Sequence, residues 1–187
     1  MPIITSVEAE SDGLLQTAKL MVVSARTAPK SGGKDDVHAM VVYGREKDEL
    51  AEEMERIGKE RGIKGFLRDA RNVKDSHAVV LIGVEGAKKF GLNCGACGYA
   101  SCDEFEKAGR RKGADFVGPT CIFKALDLGI ALGSAAKAAS IHNVDNRIMY
   151  RIGAAAMRLK LMDKATVVMG IPISAKGKNI YFDRPSV

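Results

Sequence analysis

All four cysteines of the chain fall in one stretch, Cys94-Gly-Ala-Cys97-Gly-Tyr-Ala-Ser-Cys102 and then Cys121, 19 positions further on behind Gly118 and Pro119. A disulfide framework staples distant parts of a small secreted chain, whereas thiols gathered in this way form a ligand set. Thiolates repel one another and are costly to desolvate, so a dense group of them persists when a cation or a cationic cluster neutralises it. The C-x2-C and C-x4-C spacings let one loop wrap three corners of a cubane 4Fe-4S cluster, and Cys121 supplies the fourth. Gly95 and Gly98 permit positive φ angles and bring backbone N–H groups to the sulfurs, where such donors raise reduction potential. Zinc is the competing metal, because tetrahedral four-cysteine sites also use C-x2-C pairs. Structural zinc commonly pairs two such knuckles and this chain has one, which favours iron–sulfur. A redox thiol pair without metal is the remaining alternative.

The rest of the chain reads as a helix-covered sheet. Val7 to Arg26 places Leu14, Leu15, Ala18, Met21, Val22 and Ala25 at helical spacing before Pro29, Gly32 and Gly33 break the pattern. VHAMVVY (Val37 to Tyr43), AVVLIGV (Ala78 to Val84) and ATVVMGIPI (Ala165 to Ile173) are apolar runs that suit strands covered on both faces. Between the first two lie a charged surface helix, Glu46 to Arg61, with Leu50, Met54 and Ile57 on one stripe, and a short helix over 65–75. Ile122 to Ile141 is apolar almost all round and predicts a central helix. Its Gly129 and Gly133 let another backbone approach closely, within the subunit or across a dimer. Asp145 or Asn146 is expected to cap a further helix with a stripe of Ile148, Ile152, Ala156 and Leu159, packed on the central one. With 46% hydrophobic and 28% charged residues, the 187-residue chain is expected to form a single domain, residues 85–121 being a cysteine-rich insertion between a strand and the central helix.

Charge and composition narrow the function further. The formal balance of +6 permits an acidic partner. DEFEKAGRRK (Asp103 to Lys112) predicts a helix with Phe105 and Ala108 inward and Lys107, Arg110, Arg111 and Lys112 outward, where they dock an acidic redox partner or offset a cluster's negative charge. Six Phe, four Tyr and no Trp leave few stacking platforms for nucleic acid. The acidic start MPIITSVEAESDG lacks the pattern of a secretory leader, and Lys124, Asp127 and Lys137 interrupt the longest apolar stretch. Neither export nor a bilayer span is expected, and the expected compartment is the cytoplasm. No general acid or base stands out, since His38, His77 and His142 are scattered.

CGACGYASCDEF with the later Pro-Thr-Cys resembles the C-x2-C-x4-C…C domain that binds 4Fe-4S clusters in anaerobic redox and corrinoid iron–sulfur proteins, a match of about 28 residues. Over the whole chain the order of features resembles a family of uncharacterised ferredoxin-domain-containing proteins, which implies an iron–sulfur protein. SARTAPKSGG, LGIALGS and VVMGIPIS, in that order, also resemble the FMN-dependent nitroreductases. That likeness implies an α+β three-layer α/β/α sandwich that forms a homodimer, with FMN facing Ser31 and Gly33 of the first loop and Gly133 and Ser134 of the central helix. After Gly33 the chain reads KDDVHAM where many of those enzymes carry the Asn-x-Gln-Pro-Trp that contacts flavin, and without the basic Arg-Arg-Ser stretch that they place before the first helix for the FMN phosphate, Lys30, Lys34, Lys176 or Lys178 would supply that charge.

The leading expectation is therefore an iron–sulfur redox protein in which Cys94, Cys97, Cys102 and Cys121 hold a 4Fe-4S cluster and pass electrons to a redox partner protein. An oxidoreductase that reduces a small substrate on FMN, with or without the cluster, is the enzymatic alternative. A binding module stabilised by zinc is the third.

Overall fold

The computed structural model describes residues 2–182. Helix α1 (Ser6–Thr27) starts at a capping box, in which Thr5 Oγ1 accepts the Glu8 N–H while Glu8 Oε2 accepts the Thr5 N–H at 2.8 Å. It stops at Ala28 because Pro29 follows. A single 3-10 turn, Ser31–Gly33, leads into strand β1 (Val37–Tyr43), and α2 (Gly44–Arg61) and α3 (Lys64–Asp75) connect this to β2 (Ala78–Val84). After β2 come α4 (Cys102–Lys107) and the short strands β3 (Arg111–Lys112) and β4 (Val117–Gly118). The long α5 (Ile122–Ile141), β5 (Asp145–Asn146), α6 (Tyr150–Arg158) and β6 (Val167–Ser174) complete the chain.

The main sheet is antiparallel in the order β1-β2-β6-β5, with Val80 facing both Val41 and Ile171. Side chains alternate along β2, so each face supplies a core. Ala78, Val80, Ile82 and Val84 join Leu14, Ala18, Met21 and Ala25 of α1 and Leu128, Ala131, Leu132 and Ala135 of α5. Val79 and Leu81 join Leu50, Met54 and Ile57 of α2, Phe66 and Val73 of α3, and Ile152 and Ala155 of α6. The result is the expected three-layer α/β/α sandwich, with β2 buried at every position. Each large aliphatic side chain withdrawn from water in these cores contributes about 2 kcal/mol before conformational entropy is subtracted.

Four local expectations are corrected. Helix α6 packs against β6, α2 and α3, so it lies on the opposite face of the sheet from α5. Ile148, expected in its stripe, is 44% exposed. Asp145 and Asn146 do not cap that helix; they pair with Ser174 and Ile173 as an extra edge strand. The helix expected over Asp103–Lys112 ends at Lys107, because Gly109 at φ 69° turns the chain into β3. Phe105 is buried as expected. No helix among the described residues is long and apolar enough to cross a membrane.

Candidate metal centre

The segment between β2 and α5 is fixed at its root by backbone. Thr166 Oγ1 accepts the Gly86 N–H at 2.8 Å, and the Gly86 carbonyl accepts the Cys121 N–H at 2.9 Å. A side chain at Gly86 would stand 2.6 Å from Thr120, so only glycine lets the two ends of the segment meet this closely. Cys121, buried, thus enters α5 at a position set by the exit of β2. The other three cysteines ride on the intervening loop, Cys94 exposed, Cys97 and Cys102 half-buried, and none is in a disulfide.

All four cysteines line one narrow recess, together with Phe90, Tyr99, Phe105 and Phe123. Gly95 and Gly98 hold φ angles of 73° and 87°, which fold the first knuckle into a tight turn closed by the Gly98 N–H on the Gly95 carbonyl at 2.9 Å. Asn93 brackets the third cysteine. Its backbone N–H points at Cys102 Sγ, 3.3 Å away, and its side-chain Oδ1 accepts the Cys102 N–H at 2.8 Å. Ser101 caps α4 by accepting the Glu104 N–H. Lys89, held by Asp103 at 2.7 Å and Glu106 at 2.8 Å, ties that helix to the chain leaving β2. Those two carboxylates keep the Lys89 ammonium above its ordinary range. Arg110 lies over the Phe105 ring at 5.2 Å and donates to the Ala87 carbonyl.

The donor chemistry fits a thiophilic group. Four cysteines line a space whose other walls are largely apolar, with a backbone donor aimed at the sulfur of Cys102. Among the described residues no three His, Cys, Asp or Glu side chains are gathered so as to hold a metal ion.

Behind the recess runs a buried ion network that sequence reasoning missed. Lys124, fully buried, sits 2.6 Å from Asp36 Oδ2 and 3.9 Å from Asp127 Oδ2, while Asp36 Oδ1 takes Lys88 at 2.7 Å. Burial pushes the Asp36 carboxyl up, and the ammonium groups of Lys124 and Lys88 more than offset this, leaving it below the ordinary range. Asp127 Oδ1 accepts both the Ser31 N–H at 2.8 Å and the Ser31 hydroxyl at 2.7 Å. The available signal was a Lys and an Asp three apart inside an otherwise apolar helix. For Asn93 and Phe90 the sequence carried none.

The positions expected to face a flavin stand in two groups. Ser31 is tied to Asp127 and Gly33 is exposed beside it. Ser134 lines a shallow groove with Ser24, Thr27, Pro29 and Lys137, two helical turns, about 10 Å, further along α5. Gly133 is exposed, and among the described residues nothing lies within 4 Å of where a Cβ at Gly133 or Gly129 would stand, so neither glycine serves a close approach there. Lys30 Nζ caps the carbonyls of Arg26 and Ala28, Lys34 Nζ reaches the Phe90 carbonyl at 3.3 Å, and Lys176 binds the Asp75 carbonyl.

Comparison with known proteins places both parts of the chain. Residues 117–184 match a family described as "Uncharacterized protein containing a ferredoxin domain", and residues 91–116 match one described as "Putative Fe-S cluster". A relative from Archaeoglobus fulgidus, described as an uncharacterized protein, is 51% identical over 175 residues, covering 94% of each chain. Among solved structures, a nitroreductase from Lactococcus lactis in complex with chloramphenicol has a TM-score of 0.59 at 15% identity, covering 90% of this chain and 80% of that one. The NADPH:FMN oxidoreductase from Vibrio harveyi, complexed with NAD+, has a TM-score of 0.51 at 12% identity, covering 96% and 63%. These structural likenesses are likenesses of fold.

Proposed function

Since this chain belongs to the family of uncharacterized proteins containing a ferredoxin domain, we propose that it is an electron-transfer protein whose Cys94, Cys97, Cys102 and Cys121 hold a 4Fe-4S cluster. The single observation that carries this reading is that the four cysteines, from two separate stretches of chain, line one recess. A cluster bound there supplies one-electron chemistry. The chain supplies the rest. Gly86 fixes Cys121, Asn93 fixes and hydrogen-bonds Cys102, and Phe90, Phe105 and Phe123 limit water at the sulfurs. Lys107, Arg111 and Lys112, exposed on α4 and β3 and without an ion-pair partner among the described residues, offer cationic groups to an acidic redox partner.

The test is anaerobic purification followed by metal analysis and spectroscopy. The expected result is about four iron and four sulfide per chain with a broad absorption that dithionite bleaches. Stoichiometric zinc without iron would replace this reading with the zinc-stabilised module. Cys121→Ala is expected to leave a three-iron or labile cluster, and an unchanged cluster would place the fourth ligand elsewhere.

A second reading is supported by the fold shared with an NADPH:FMN oxidoreductase. In it, FMN lies along the face of α5 that carries Gly133 and Ser134, completed by a second copy of the chain and reducing a small substrate. The exposed strip of Leu126 (51%), Gly129, Ile130 (45%), Gly133 and Ile141 (65%) on α5 suits that second copy. Flavin released by acid and quantified by fluorescence, and a dimer mass by light scattering, are the expected results. Flavin-free monomer would dismiss this reading.

A further inference from the structure

The turn Ser31–Gly33 stands where flavin was expected, yet its contacts run toward the cysteines. Gly32 holds φ 59°, and a Cβ there would meet the Phe90 ring at 3.0 and 3.1 Å, so the bare backbone of the turn presses against that ring. Lys34 closes the ring from another side, its Nζ 5.3 Å from the ring centroid and bonded to the Phe90 carbonyl. Phe90 in turn stacks on Phe123 with centroids 4.7 Å apart, and both rings line the recess that holds the four thiols. The turn is anchored from behind by Asp127, on the same helix that Cys121 begins.

We infer that the Ser31–Lys34 turn is the outer buttress of the cysteine recess. It pins Phe90 against Phe123 and so governs how much water reaches the sulfurs. Gly32, Lys34 and Phe90 are then positioning residues for the metal centre, acting through the apolar wall and not as ligands. The inference rests on the reading that the recess holds a cluster, whose lability and potential depend on solvent access. Two features favour glycine at position 32, its φ and the ring edge beside it, which a Cβ would push back by a few tenths of an ångström, whereas Gly33 has φ 66° and open space around it. That difference supplies the control. Alanine at either position strains the backbone, and only alanine at 32 displaces the ring.

The experiment measures the rate at which a small water-soluble thiol reagent labels Cys121 in the metal-free chain, read by mass spectrometry, with exposed Cys94 as the internal standard. The same variants, loaded anaerobically, are then followed for loss of iron–sulfur absorption in air. Gly32→Ala and Phe90→Ala are expected to speed Cys121 labelling and cluster loss several-fold relative to Cys94 labelling and to wild type. Gly33→Ala is expected to behave as wild type. Lys34→Met moves in the same direction as Gly32→Ala, and Lys34→Arg restores the wild-type rate. Equal rates for Gly32→Ala and Gly33→Ala, or a Cys121 rate unmoved by Phe90→Ala, would overturn the inference. Wild-type protein that takes up no iron defeats the cluster reading instead, and the thiol rates still decide whether the turn buttresses the recess.

Discussion

Along β2 all seven residues are buried, while from Glu85 to Thr120 burial is confined to Gly86 and Phe105. The sandwich is held by two apolar cores, one on each face of the sheet. The cysteine segment is held by caps, a two-residue hairpin and ion pairs such as Lys89 with Asp103 and Glu106. Exposed ion pairs contribute little because water and salt screen them. The two regions therefore differ in what stabilises them: buried apolar surface on both faces of the sheet holds the sandwich, whereas the segment is held by local hydrogen bonds, ion pairs and a few aromatic contacts. They meet at Asp36, which joins Lys88 of the segment to Lys124 of α5.

The largest effect is expected where two backbones of the sandwich nearly touch. A Cβ at Gly153 would lie 1.6 Å from the Val168 carbonyl oxygen, so Gly153→Ala must push α6 off β6. Loss of more than about 4 kcal/mol in urea unfolding, or failure to fold, is expected, because no side chain can yield there. Next, Leu81→Ala, in the fully buried strand, is expected to cost about 3 kcal/mol. Leu92→Ala in the segment removes the same side chain where it is 59% exposed, and is expected to stay within about 0.5 kcal/mol. Similar losses for both leucines would erase the contrast between the regions.

A smaller effect sharpens the boundary. The folded chain holds the Asp36 carboxyl below its ordinary range, so the unfolded chain binds its proton more readily. The Asp36 contribution is then fully present above the unfolded value, about pH 4, and is lost as pH falls through the lower folded value. Asp36→Asn is expected to be less stable than wild type at neutral pH, with the difference shrinking as the solution is acidified. A difference that holds constant or widens in acid would contradict the ion-pair account of this junction.

Much of the fold was legible because long apolar runs have few alternatives. VHAMVVY and AVVLIGV become β1 and β2 with unchanged bounds, and the apolar helix spans the expected Ile122–Ile141. What was not legible depends on distant partners. Asp145 and Asn146 have no strand-like alternation and pair only because Ser174 and Ile173 are brought beside them. Helix α6 lies close on β6 at Gly153, a contact with a distant strand that periodicity does not reveal. In the site, the ligand spacing marked the four cysteines, which the structure lines up on one recess. Phe90 and Asn93 act through packing and a backbone turn, and neither leaves a spacing signature.

The most direct measurement is hydrogen exchange on the iron-loaded and metal-free chain. The account predicts that removing the metal strips protection from residues 94–125 while β1, β2 and β6 keep theirs, an insertion that its cluster orders on a sandwich that stands without it. Loss of protection throughout the three strands would contradict it, because the metal would then be supporting the whole domain.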